Sequence, residues 1–252
     1  MSPEAAIESL RARIQAIESG NRHEKSTLPF GVASLDSKLP EGGLALGALH
    51  EIAGGGSGAG DGPAAALFAA GIAARTKGKV LWCLSRPDLF APALAQAGLH
   101  PDRVIYVEAR NDKTVLACME EGLAHGGPAV VVAEVARLSM VASRRLNLAA
   151  EKTGCLAIAL RRWSRAKDAA EFGQPTAAAT RWKITALPSA PLPTPGIGRP
   201  RWRVELLRCR GGETAVHELE ACDAKGRLAL PSHLADGSAA ARTGRPKRRA
   251  SG

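Results

Sequence analysis

The sequence has few aromatic residues: four Phe, four Trp and one Tyr in 252 residues. A core of the size this length allows is therefore built mainly from Ala, Leu and Val. No apolar run approaches the ~20 residues of a membrane-spanning helix. The start, Met1-Ser2-Pro3-Glu4, lacks the basic and apolar regions of a secretory signal, so a cytoplasmic protein is expected. No C-x-x-C pair occurs among the five scattered cysteines, which argues against zinc and redox motifs and for a reducing compartment. The histidines at 23, 50, 100, 125, 217 and 233 are isolated, so no metal site is expected. Acidic residues are outnumbered, leaving a net charge of +10. Part of that excess is local. Arg242, Arg245, Lys247, Arg248 and Arg249 fall in the last eleven residues without an acid among them. Such a tail is either a solvated disordered segment or a contact for phosphate backbones or an acidic partner.

The chain is organised around residues 49 to 75. Leu49-His50-Glu51-Ile52-Ala53 reads as a strand, Gly54 to Gly62 as a glycine-rich loop, and Pro63 to Arg75 as an alanine-rich helix. A phosphate-binding loop would stand here. That chemistry needs a Gly-Lys-Ser/Thr ending, with a Lys for the β/γ charge and a hydroxyl for Mg²⁺. Neither is present; Asp61 and Pro63 take their place, and an Asp repels phosphate. Gly54, Gly55, Gly56, Ser57, Gly58 and Gly60 thus form the skeleton of a nucleotide site. Two readings stay open for it: a residual anion site using backbone N–H groups, or a plain connection.

Elsewhere, strands are expected at 79–84, 104–107, 129–134 and 155–160, alternating with helices at 89–97, 113–124 and 143–151. Fully apolar strands alternating with helices predict a parallel sheet covered on both faces, an α/β fold. Residues 165–180 are expected to loop out. The stretch 181–187 is strand-like, and 188–200, with five prolines, reads as a loop. Strands at 202–208 and 213–219 around Gly211-Gly212 form a hairpin that extends the sheet antiparallel. Ile7, Leu10, Ile14 and Ile17 mark a short amphipathic N-terminal helix, suited to self-association or a partner. The expected organisation is a helix at 1–20, a linker at 21–27, a core at 28–187, a loop at 188–200, a β extension at 201–234 and a basic tail at 235–252.

Phe30-Gly31-Val32-Ala33-Ser34-Leu35-Asp36, Gly42-Gly43-Leu44, Gly47 and Glu51-Ile52 resemble the segment that precedes the phosphate loop in RecA. The likeness covers roughly residues 28 to 162. Four further segments resemble the ImuA family, a RecA-like and SulA-related group. They are Ala159-Leu160-Arg161-Arg162-Trp163, Ala178-Ala179-Thr180-Arg181-Trp182, Trp202-x-Val204-Glu205-Leu206-x-Arg208 and Asp223-x-x-Gly226-Arg227-Leu228. The resemblance implies a RecA-like core and a role in damage-induced mutagenesis. It implies error-prone translesion synthesis alongside an ImuB-like relative of the Y-family polymerases and a DnaE-type polymerase, with RecA and DNA as further partners. It also places the RecA catalytic glutamate near Arg86 and the Walker B aspartate on Glu134. With the Lys and hydroxyl missing as well, neither ATP binding nor catalysis is expected.

By the same likeness, Arg137, Arg144 and Arg145 lie on the side that carries DNA-touching loops. Arg162, Arg181 and Arg201 each precede a Trp, a pairing that serves single-strand binding; a Trp packed on the sheet beside a surface Arg explains the same pattern and is expected for at least two of the three. Partner contacts are expected at the N-terminal helix, at Trp202 and at Arg245, Lys247, Arg248 and Arg249. The alternative functions are a DNA-stimulated ATPase with an atypical loop and a cell-division inhibitor of SulA type.

Overall fold

The computed structural model describes residues 26–56, 59–163, 169–189 and 195–231, without the side chains of 170 and 171. Expectations at residues 1–25, at Ser57 and Gly58, and in the basic tail lie outside the described residues.

The strands are β1 (Thr27–Leu28), β2 (Leu44–Ala45), β3 (Leu49–Gly54), β4 (Val80–Leu84), β5 (Val104–Glu108), β6 (Val130–Val135), β7 (Leu156–Arg161), β8 (Thr180–Leu187), β9 (Arg201–Cys209) and β10 (Ala215–Glu220). The helices are α1 (Ala33–Asp36), α2 (Asp61–Ala74), α3 (Ala91–Gln96), α4 (Asp112–His125) and α5 (Met140–Thr153). β1 and β2 pair in a small antiparallel ribbon. The other eight form one sheet in the order β10-β9-β8-β3-β7-β6-β4-β5. From β8 to β5 all pairings are parallel. β9 and β10 are antiparallel, as the hairpin composition predicts.

Residues 130–135 and 156–161 are buried throughout, which follows from helices covering both faces. One face is closed by α4 and α5 through Val115, Met119, Leu123, Leu146 and Ala150. These helices start at capping side chains: Asn111 accepts from the Thr114 N–H and Ser139 from the Ala142 N–H. The other face is closed by α2. This helix is small-residued and buried nearly all round, from Ala64 to Ala73. It begins at Asp61, two residues earlier than Pro63 suggests.

Under α2 the scarce aromatics gather. Phe30 stacks on Phe68 at 5.7 Å, both rings meet Trp182, and Phe68 meets the edge of Trp202 at 6.3 Å. Burying four such rings in mutual contact contributes beyond their area alone, about 0.5–1.5 kcal/mol per pair. Because Trp202, Val204, Leu206 and Leu219 belong to this cluster, the C-terminal hairpin shares the core of the parallel strands.

Candidate functional site: a closed phosphate loop

The glycine-rich loop leaves the C-terminal end of β3, the central strand, and enters α2. In a RecA-like arrangement this turn presents N–H groups to phosphate. Here the turn is folded onto the end of β8. The Gly55 N–H donates to the Ile184 carbonyl at 2.7 Å. A Cβ on Gly55 would lie 1.7 Å from Thr185 Oγ1, so only glycine permits the approach. Asp61 turns inward and is buried. Its Oδ1 accepts from the Ala186 N–H at 2.9 Å, tying α2 to β8. Its Oδ2 faces Gly56, lying 3.2 Å from where a Cβ on that residue would stand. An anion is thus built into the N-terminal turn of α2, where a helix favours negative charge. Any incoming phosphate would face that carboxylate.

Glu134, near the end of β6, is buried. It accepts from Trp82 Nε1 at 2.8 Å and from Arg162 Nη1 at 2.5 Å. Arg162 also forks onto Asp88, with Nη1 to Oδ1 at 2.8 Å and Nη2 to Oδ2 at 2.9 Å. The hydrogen bond from Arg162 holds the Asp88 carboxyl below the usual range. The same bond raises the Arg162 pKa, opposed by its partial burial and reinforced by Glu134. Glu134, which the RecA resemblance places at the Walker B position, therefore faces a guanidinium. Among the described residues, no cluster of His, Cys, Asp and Glu could hold a metal ion.

The next carboxylate along the sheet is Glu51, at the middle of β3 and fully buried. Its neighbours in register are Ala159 on β7 and Arg181 on β8. Arg161 Nη1 lies 3.2 Å from Oε2 and Arg181 Nη2 lies 3.3 Å from Oε1. The Thr176 hydroxyl also donates to Oε1. Phe172 sits over both guanidinium groups, 5.8 Å from Arg161 and 5.2 Å from Arg181. Arg161 further donates to the Ala136 carbonyl at 2.8 Å and Arg181 to the Gln174 carbonyl at 2.6 Å. This network pins the segment 172–176 across the sheet end.

The arginines expected on DNA separate into groups. Arg181 is buried on Glu51, which takes it from any DNA surface, and Arg162 is half-buried and held by Glu134 and Asp88. Arg201 pairs with Glu218 at 2.7 Å across β9 and β10. Arg145 pairs with Glu120 at 2.6 Å on α4, though it stays exposed. Arg137 and Arg144 are exposed beside α5. Trp202, expected at a partner surface, is in the core because its strand faces α2. Trp182 is buried too, while Trp163 packs at 5.8 Å on Phe172. Gly54 is closed in by the backbone of Asp61, 2.8 Å from where a Cβ would stand.

Sequence reasoning missed Asp88 and the Glu51 network. A signal for the second was present: a carboxylate inside an otherwise apolar strand must find a partner or stay uncharged.

Two curated relatives, both described as Protein ImuA, come from Caulobacter vibrioides strains NA1000 / CB15N and ATCC 19089 / CIP 103742 / CB 15. Each is 40% identical over 236 residues, covering 89% of this chain and 97% of the relative. The chain belongs to the ImuA family. No family model matches it. Among solved structures, the RadB recombinase superposes with a TM-score of 0.55 at 18% identity, covering 81% of this chain and all of RadB. That likeness establishes a RecA-like fold. The antiparallel hairpin lies within the same sheet as the parallel strands.

Proposed function

We propose that the chain is a non-catalytic accessory protein of damage-induced mutagenesis. It would support error-prone translesion synthesis with an ImuB-like relative of the Y-family polymerases and a DnaE-type polymerase. Family membership ties it to that system. The observation that supports a non-catalytic role is the double occupancy of the nucleotide site by the protein's own groups. Asp61 places a carboxylate at the start of the helix that would face phosphate, tied to Ala186, and Arg162 pairs with Glu134 where a metal would sit. A phosphoryl-transfer site needs the reverse charges at both places: cations toward the phosphates and an uncommitted carboxylate toward Mg²⁺. Arg137, Arg144 and Arg145 are exposed and are the cations offered to DNA in this reading, with RecA as a further partner.

The test is ATP binding and hydrolysis by the purified full chain, with and without single-stranded DNA, beside a Glu134→Ala control. The expected result is neither binding nor turnover, together with a loss of damage-induced mutation in a deletion strain. Turnover that DNA stimulates and Glu134→Ala abolishes would establish the ATPase reading instead. Filamentation on overexpression with an intact mutation frequency in the deletion strain would favour a division inhibitor.

A further inference from the structure

A cavity lies at the opposite end of α2 from the glycine loop, about 20 Å away along a helix of 14 residues. Its volume is about 540 Å³. Leu28, Phe30 and Leu228 form its apolar wall, and Arg75, Lys225 and Arg227 supply three cations. The first and last parts of the described chain meet there, since Leu28 to Gly31 face Lys225 to Leu228.

The cations make no direct ion pair. Among the described residues no carboxylate stands within ion-pair distance of Arg75, Lys225 or Arg227. The two nearby acids are committed to backbone amides. Asp36 accepts from the Phe30 and Gly31 N–H groups at 2.7 and 2.9 Å. Asp223 Oδ1 accepts from the Lys225 and Arg227 N–H groups at 2.8 and 2.9 Å. The last carbonyls of α2 are also taken, by Arg103 Nη1 on Ala74 and Nη2 on Ala73. Arg75 itself donates to the Pro29 carbonyl and lies 5.0 Å over the Phe30 ring. Its Nε is buried and has no hydrogen-bond partner. Burial lowers its pKa, with Arg227 adding repulsion and Cys222 and Asp36 opposing. A largely desolvated guanidinium over an aromatic ring, with no direct ion-pair partner among the described residues, is stabilised by an anion that enters.

We propose that this cavity binds a peptide segment of a partner protein in which an acidic side chain lies beside leucine-like ones. Arg75 would take the carboxylate at the cavity floor, Lys225 and Arg227 would guard the rim, and Leu28, Phe30 and Leu228 would receive the apolar neighbours. A nucleic-acid backbone fits less well. It carries evenly spaced charges that call for a track of cations, whereas these three converge on one concave site that apolar side chains also line. The inference goes beyond the mutagenesis reading and stands whether or not that reading holds.

The test is fluorescence anisotropy of a fluorescein-labelled peptide of alternating leucine and glutamate, titrated with the full-length protein. The expected result is saturable binding that weakens with salt. Arg75→Met should weaken it by about tenfold or more. The double variant Lys225→Ser/Arg227→Ser should weaken it several-fold; its side chains are exposed and hold no packing, so folding is not at issue. A serine–glutamate peptide should bind more weakly than the leucine one. No saturation up to about 1 mM, equal binding by the double variant, or equal binding of the serine peptide would overturn the proposal. So would full displacement of the peptide by single-stranded DNA or inorganic phosphate at equal charge, which would make the cavity a phosphate site.

Discussion

Glu51 holds one carboxylate between two guanidinium groups inside the sheet. The net charge of this trio is positive, and Phe172 and the Gln174 and Ala136 carbonyls absorb the excess. Removing the one anion leaves two buried cations facing each other. Glu51→Gln, which keeps the shape, should therefore cost about 3–5 kcal/mol, read from urea unfolding of the two proteins. His50, on the other face of β3, is a second sensitive residue. The Thr180 hydroxyl lies 2.7 Å from Nδ1 and the Ala45 carbonyl 2.8 Å from Nε2. The carbonyl can only accept, so Nε2 carries the proton and Nδ1 accepts from Thr180. Trp182 Nε1 donates to the same Thr180 oxygen at 2.6 Å, which fixes the direction of the chain. Burial lowers the His50 pKa from 6.5 to about 4, partly opposed by its bond to Ala45. A group whose folded pKa is depressed binds its proton more readily when unfolded. Stability from this residue is thus complete above pH 6.5 and falls as pH drops toward 4, by about 3 kcal/mol in all. Unfolding free energies across that window should show the slope, and His50→Asn should flatten it.

At the scale of elements, α2 is held at both ends by groups that are far away in sequence. Its start is tied to β8 through Asp61. Its last turns press on the chain between β10 and the end of the described residues. A Cβ on Gly71 would stand 2.2 Å from Cys222 Sγ and 3.0 Å from its Cβ. In an isolated helix Gly→Ala gains about 1 kcal/mol. Here the overlap outweighs that gain, and Gly71→Ala should destabilise by about 1–3 kcal/mol in chemical denaturation. The elements themselves were legible in the sequence, because apolar runs and glycine stops are local signals. Strands at 80–84, 104–108, 130–135 and 156–161 fall within two residues of the expected ranges. The glycine loop and its missing Lys and hydroxyl were legible for the same reason. What the loop does was not: Asp61 meets Ala186 from 125 positions away, and Glu134 meets Arg162 from 28. An Arg beside a Trp carries no mark of whether it faces solvent or a buried acid. Arg181 and Arg162 proved to be of the second kind, and Trp202 took the core position that its strand alternation allowed.

For the molecule as a whole, the eight-stranded sheet is one body. β9 covers the open edge of β8, and the hairpin carries Trp202, Val204, Leu206 and Leu219 into the aromatic cluster under α2. A chain truncated after Leu187 loses those side chains along with β8's outer partner. It should fail to give a cooperative thermal transition or a folded circular-dichroism spectrum. Lost partner binding by such a fragment would then report unfolding. Point variants in the exposed residues of β10 are the better probe of partner contacts. Val216 stands 56% exposed there, and Val216→Ser should leave the melting temperature within a few degrees of the parent.

The position of β3 also governs when the protein can become itself. Among the described residues it is the earliest long strand to be synthesised, yet both strands that flank it come late: Ile52 pairs with Leu160 and with Trp182. A ribosome therefore releases well over half of the chain before the middle of the sheet can zip, and the apolar strands made in the interval wait with open edges. Closing contacts so distant in sequence is slow, and waiting strands are prone to pair with the wrong neighbour. The temperature and speed of synthesis should accordingly set the soluble yield of this protein more than its final stability does.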